Sequence, residues 1–99
     1  MEAYEAQKYQ SVEGTLGALA TNSLVPFGPL GEAIMVSITN DNGQSDFTVK
    51  FNGVNDTTSP ARTIQGGETL ALSNISLKSI HLTNRSGVAI AYRIIFWGN

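Results

Sequence analysis

The chain has 99 residues, a net charge of −2, only 14% charged residues and no cysteine. This length suits a single domain, and the lack of cysteine excludes a disulfide framework or a thiolate metal site. The six basic residues are scattered and no apolar run approaches the roughly 20 residues that cross a bilayer, so we expect a soluble protein that contacts neither nucleic acid nor membrane.

Residues 1–10 contain good helix formers, but they lack a continuous apolar stripe and are too few for a stable isolated helix. We therefore expect an N-terminal arm that orders on a partner. The arm also lacks the basic stretch and apolar core of a secretory signal, so we expect no export by that route. Residues 11–99 are predicted to form the folded domain, beginning with a strand in which Val12, Gly14 and Leu16 share one face.

Residues 22–31 are rich in apolar side chains, yet Pro26 and Pro29 exclude a helix and a central strand. Two interpretations remain open for this proline loop. It either folds over one end of the core as a lid, or it forms an exposed apolar patch that docks on a partner.

The clearest strands lie at residues 33–39 and 46–52, where apolar and polar side chains alternate. The Asn-Gly pair at 42–43 predicts a tight turn that joins these strands as a hairpin. The Gly-Gly pair at 66–67 predicts a second hairpin. We expect both hairpins to contribute half-buried antiparallel pairs.

The apolar alternation changes phase at residues 78–79, which requires either a bulge or a break between two strands. We favour one strand over residues 76–83 that contains a bulge. A turn at 84–87 then leads into a C-terminal strand that is apolar on both faces. Its inner face is predicted to carry Val88, Ile90, Tyr92, Ile94 and Phe96, and its outer face Ala89, Ala91, Arg93, Ile95 and Trp97.

Six to eight short strands with frequent turn signals predict an all-β fold, a single-domain antiparallel β-sandwich that is jelly-roll-like and preceded by the arm. The missing crossover helices exclude a parallel α/β fold. His81 is the only histidine, and no nucleophile motif or calcium-loop spacing accompanies it. We therefore expect no enzymatic activity, no cofactor and no metal.

Residues 47–53, 64–70, 80–87 and 91–94 have a succession of strands and turns that resembles small virion proteins of tailed phages with a β-sandwich fold. That group includes capsid decoration (cement) proteins and parts of fibres and baseplates. Its cement proteins typically form trimers over capsomer junctions and grip the shell with terminal arms.

The resemblance implies a non-enzymatic structural protein that is located in the virion and assembled in the host cytoplasm. It would bind and stabilise the shell of the major capsid protein as a homo-oligomer, with a trimer favoured. The alternative is a carbohydrate-binding or adaptor β-sandwich of a phage fibre, tail or baseplate, in which Trp97 could stack on a sugar.

Two sets of contact residues follow from this hypothesis. The odd-numbered face of the last strand is expected to contact other subunits, and Arg93 is expected to meet an acid or carbonyl across that contact. The predicted shell contacts are Tyr4, Tyr9, Leu24, Val25, Phe27 and Leu30, and the predicted subunit contacts are Ala89, Ala91, Arg93, Ile95 and Trp97.

Overall fold

A computed structural model describes residues 8–25, 33–52 and 62–98, except for the side chains of residues 8 and 74–76. Within these residues the secondary structure is entirely β. The eight strands are β1 (Lys8–Leu16), β2 (Ser23–Val25), β3 (Ala33–Asn40), β4 (Phe47–Phe51), β5 (Arg62–Ile64), β6 (Thr69–Leu77), β7 (Ile80–Thr83) and β8 (Ile90–Gly98).

The strands form two four-stranded antiparallel sheets, a first sheet in the order β1-β8-β3-β6 and a second in the order β2-β7-β4-β5. Most connections carry the chain from one sheet to the other. Eight antiparallel strands in two facing sheets with such connections make a jelly roll. The predicted all-β sandwich is therefore confirmed.

The core lies between the sheets and is built mainly from every second residue of the strands, because alternate side chains point to opposite faces. The alternation shifts phase near the start of β3 and in β6, at the register irregularity between them. In β8 the buried residues are Ile90, Ile94 and Phe96, as the alternation predicted. Val88 was predicted to share their face, but it precedes β8 and is 51% exposed. The core residues are Leu16, Val25, Ala33, Val36, Ile38, Phe47, Val49, Ile64, Leu77, Ile80, Leu82, Ile90, Ile94 and Phe96.

Both predicted hairpins are wrong. Strand β3 lies in the first sheet and β4 in the second, and the same separation divides β6 from β5. The turns at 42–43 and 66–67 are therefore corners between the sheets. A turn sequence specifies that the chain reverses locally, but the partner of each strand is decided by packing.

Asn40 shows what stabilises these two corners. Its side chain is completely buried, and its Nδ2 donates to the carbonyls of Ser45 at 2.8 Å and Ile64 at 3.0 Å. Its Oδ1 accepts the N–H of Asn42, and its backbone carbonyl accepts the N–H of Gly67. Gly67 adopts a φ of +79°, which glycine tolerates best. One asparagine thus joins the β3–β4 and β5–β6 corners.

Asn84 has the same role at the other two corners. It is 1% exposed, and its Nδ2 donates to the carbonyls of Leu16, Gly17 and Val88. Its Oδ1 accepts the backbone N–H and the hydroxyl of Ser86. This side chain therefore joins the β1–β2 and β7–β8 corners, which are also linked by backbone hydrogen bonds from Leu19 to Ser86 and from Asn84 to Ala20.

Three boundaries differ from the predictions. Strand β1 begins at Lys8, so residues 8–10 of the predicted arm belong to the first sheet, and residues 1–7 lie outside the described residues. Residues 23–25 of the proline loop form β2 at an edge of the second sheet. The phase change at 78–79 is a break between β6 and β7, which belong to different sheets, and not the bulge that we favoured.

The pairing register places the four corners at one end of the sandwich. Leu16 lies opposite Ile90, and Asn40 lies opposite Tyr92, two residues further along β8. We call this the asparagine end. At the other end β1 begins and β8 finishes. Residues 26–32 connect β2 to β3 in the other sheet, and residues 53–61 connect β4 to β5 within the second sheet.

Candidate protein-contact surface

The outer face of the first sheet has rows of side chains that run across the strands. At the end away from the asparagine corners, Trp97 of β8 lies between Tyr9 of β1 and Met35 of β3. In the next row, Ile95 lies between two serines. Opposite residues in an antiparallel pair have Cβ atoms about 5 Å apart, so these apolar side chains are neighbours.

These four side chains are accessible to a partner. Tyr9 is 70% exposed, Met35 40% and Ile95 36%, while Trp97 between them is half-buried. We refer to Tyr9, Met35, Ile95 and Trp97 as the Trp97 patch. It concentrates large apolar side chains, including two aromatic ones, on a face whose other residues are polar or alanine.

A shallow groove of about 370 Å³ adjoins the patch. The indole of Trp97 and the side chain of Met35 stand beside positions occupied by small residues of β3 and β6. The groove is lined by Met35, Val36, Ser37, Ala71, Leu72, Ser73 and Trp97.

Nearer the asparagine end, the same face is charged. Glu13 of β1 lies opposite Arg93 of β8. The guanidinium of Arg93 donates to both carboxylate oxygens of Asp41, with Nε at 2.8 Å from one and Nη2 at 3.1 Å from the other. The hydrogen bond from its guanidinium to Asp41 raises the pKa of Arg93, and the negative charges of Asp41 and Glu13 add smaller electrostatic contributions in the same direction. Arg93 was expected to meet an acid or carbonyl of another subunit. It pairs instead with Asp41 of its own chain, so it does not require a partner from a second subunit.

The predicted subunit-contact residues are all at or near this face. Ala91, Arg93, Ile95 and Trp97 occupy outward positions of β8 and are at least partly exposed. Ala89 is exposed but precedes the strand. The alternation along the last strand thus identified one column of this surface correctly.

The predicted shell-contact residues do not come together on one surface. Val25 is 2% exposed and belongs to the core, so its prediction as a contact is wrong. Leu24 is 64% exposed but lies in the second sheet, opposite His81. Tyr9 belongs to the Trp97 patch, and Tyr4, Phe27 and Leu30 lie outside the described residues.

Met35 and the small residues of the groove were not predicted as contacts. The alternation of residues 33–39 assigned Met35 and Ser37 to a polar, outward face. Only the pairing of β3 with β8 brings Met35 beside Trp97. No signal within β3 itself indicates that neighbour.

The second sheet carries one unusual polar atom. His81 lies between Leu24 and Lys50 on neighbouring strands, and its Nδ1 is buried without a hydrogen-bond partner among the described residues. Within that same part of the chain, no three acidic, histidine or cysteine side chains are grouped closely enough to hold a metal ion. No helix there has the length and apolarity to cross a membrane.

No protein family matches this sequence, and no curated protein matches it. Solved structures do share its fold. The Cupin_2 domain of an XRE-family transcriptional regulator from Enterobacter cloacae aligns with a TM-score of 0.60 at 15% identity, over 90% of this chain and 80% of that one. A protein of Bacillus endospore appendages, described as disulfide-linked pili, has a TM-score of 0.60 at 14% identity, over 95% and 88%.

The CENP-C cupin domain of Drosophila melanogaster aligns with a TM-score of 0.59 at 9% identity. The alignment covers 87% of this chain and 59% of that one, so this chain spans less than two thirds of the CENP-C chain. At such identities, these likenesses show the fold alone. The chain is a β-sandwich of the kind found in cupin domains and other jelly rolls.

Proposed function

We propose that this chain is a non-enzymatic structural protein of a phage virion, a decoration (cement) protein that binds the shell of the major capsid protein and stabilises it. The observation that carries the proposal is the Trp97 patch. Clustered exposed apolar side chains are typical of protein contact sites, and tryptophan and tyrosine are enriched among the residues that dominate binding energy. The resemblance in sequence to virion proteins suggests the class of partner.

The position of the patch supports a contact with a large surface. Residues 1–7 precede β1, and residues 26–32 join β2 to β3, so both segments attach at the same end of the sandwich as Trp97. These are the segments in which Tyr4, Phe27 and Leu30 were predicted to contact the shell. A partner seated on the patch would therefore lie at the end of the sandwich to which both segments attach.

Avidity provides the mechanism of stabilisation. One small patch binds weakly, but a homo-oligomer that presents several copies to adjacent shell subunits gains from a high effective concentration. The trimer expected from the resemblance is one such homo-oligomer. With only 14% charged residues, the surface has few ions to strip of water when it is covered.

The test uses the intact chain and capsid shells purified without it. We expect the chain to co-sediment with these shells and to raise the temperature at which they disrupt. Trp97→Ala should weaken binding at least tenfold, since truncating a central tryptophan costs about 2 kcal/mol or more. Val88→Ala is the matched control, because Val88 is an exposed apolar residue at the opposite end. Absence of wild-type binding, or equal loss in both variants, overturns the proposal.

The groove beside Trp97 favours a second candidate, carbohydrate binding on a fibre, tail or baseplate. An indole beside serine hydroxyls is an arrangement on which a sugar ring can stack and form hydrogen bonds. A glycan array with the isolated chain tests this candidate. Binding that Trp97→Ala abolishes and that shells do not compete for would replace the decoration hypothesis.

A further inference from the structure

Among the described residues, β1 is an edge strand that is neither short nor interrupted by proline or a bulge. Edge strands are commonly kept short, interrupted by proline, or distorted by bulges. The edges of the second sheet, β2 and β5, have three residues each, and β6 has a register irregularity against β3. By contrast, β1 pairs with β8 in an unbroken register over all nine residues and contains no proline.

The hydrogen bonds of the first sheet show which backbone groups of β1 are free. The N–H of Asp41 donates to the carbonyl of Ala91, so odd-numbered residues of β8 direct their backbone groups towards β3. Even-numbered residues of β8 therefore face β1 and bond to the even-numbered residues opposite them. The residues of β1 whose N–H and C=O point away from the sheet are Tyr9, Ser11, Glu13 and Thr15.

We propose that β1 pairs antiparallel with β1 of a second copy, about a two-fold axis that passes through Val12. The two first sheets then become one continuous sheet of eight strands. In this register all four free residues of each strand find a partner, with Tyr9 opposite Thr15 and Ser11 opposite Glu13. Val12 lies opposite its own copy.

Charge and register favour an axis at Val12 over an axis at one of the residues beside it, Ser11 or Glu13. An axis at Glu13 would place two carboxylates directly opposite each other, which is destabilising. An axis at Ser11 would leave Thr15 without a partner in the other strand. The side chains of β1 that face the core are Gln10, Val12, Gly14 and Leu16, so no charge points into the extended sheet from that side. Because the contact is isologous, it closes as a dimer and does not propagate into a fibre.

This edge contact is independent of the proposed function. It uses the backbone of β1, whereas shell binding uses side chains on the outer face around Trp97. The experiments on the β1 edge therefore do not decide whether the chain binds shells, and the shell-binding test does not decide whether β1 pairs with a second copy. A native mass of two chains, or of another even number, is expected at micromolar concentrations. A monomer or a trimer overturns the proposal.

Single cysteines test the register, because the wild-type chain has no cysteine. Residues of a pair that share no backbone hydrogen bonds have Cα atoms about 4.5 Å apart, within the range that a disulfide spans. Val12→Cys is therefore expected to form a covalent dimer under mild oxidation. Gln10→Cys is the matched control on the same face, since the two copies of residue 10 lie four positions apart, about 13 Å along the strands. Absence of the Val12→Cys dimer, or equal cross-linking of the control, overturns the proposal.

Proline substitutions test the edge without new covalent chemistry. The N–H of Ser11 points to the free edge, so Ser11→Pro blocks pairing while the ladder between β1 and β8 keeps its hydrogen bonds. Ala71→Pro makes the same change at an equivalent position of β6. Ser11→Pro is expected to be monomeric and Ala71→Pro to retain the wild-type mass. A dimeric Ser11→Pro refutes the pairing; if that variant does not fold, as judged by circular dichroism, the cysteine pair decides.

Discussion

Asn84→Ala removes the buried side chain that joins the β1–β2 and β7–β8 corners. The amide makes five hydrogen bonds of 2.7 to 3.2 Å, and three of its partners are backbone carbonyls. Each hydrogen bond contributes about 1 kcal/mol, and a buried group left without a partner costs more. Ser86 can return to water, so we expect the free energy of unfolding to fall by about 3 kcal/mol.

Urea unfolding measures this loss. The single tryptophan, Trp97, reports the transition by fluorescence, and linear extrapolation yields the free energy of unfolding in water. In a domain of this size, about 3 kcal/mol corresponds to a fall of about 12 to 24 °C in Tm. Asn84→Asp keeps the shape but directs an oxygen at the three carbonyls, so its loss should be at least as large.

Asn42→Ala is the matched control. Its Oδ1 also accepts two backbone N–H groups, from Gln44 and Ser45, but in a turn that is only half-buried. We expect that substitution to cost about 1 kcal/mol. If Asn84→Ala costs no more than Asn42→Ala, the corners do not depend on the buried amide and the reasoning is refuted.

Two further substitutions test the packing by the same urea assay. Gly66→Ala should lower the free energy of unfolding by about 1 to 3 kcal/mol, because the added Cβ would lie 2.7 Å from the backbone oxygen of Asn42. Gly43→Ala is the control. Its added Cβ meets no atom within 4 Å, so this substitution should be neutral or slightly stabilising. Equal effects of the two would contradict this. His81→Leu should leave stability unchanged or raise it, since it removes a buried nitrogen without a partner. A loss of more than about 1 kcal/mol would show that Nδ1 is paired in solution.

Much of the fold was predictable because strand alternation is a local property. The buried residues of β4 and β8 and the all-β class follow from side chains that alternate along each strand. The pairing was not predictable in this way. An Asn-Gly turn between two amphipathic strands is compatible both with a hairpin and with a corner between sheets. The choice depends on how the two sheets pack, and the buried side chain of Asn40 stabilises the resulting corner.

The candidate contact surface was also predictable only in part. The sequence by itself determined that Ile95 and Trp97 face away from the core, because their positions in β8 alternate with Ile94 and Phe96. Only the tertiary structure decided that Tyr9 and Met35 flank Trp97. These residues come from strands far apart in the chain, and hydrogen bonding within the sheet sets which of them are neighbours.

Arg93 on the last strand shows most clearly why contact partners could not be predicted from the sequence. From the sequence, Arg93 on an apolar face was expected to be buried and to meet an acid or carbonyl, but its side chain is 57% exposed. The partner was expected in another subunit, but the corner after β3 brings Asp41 within 2.8 Å in the same chain. Local sequence determines what a side chain needs, through its polarity and the face that it occupies. Which group meets that need depends on the packing of distant segments, which only the tertiary structure decides.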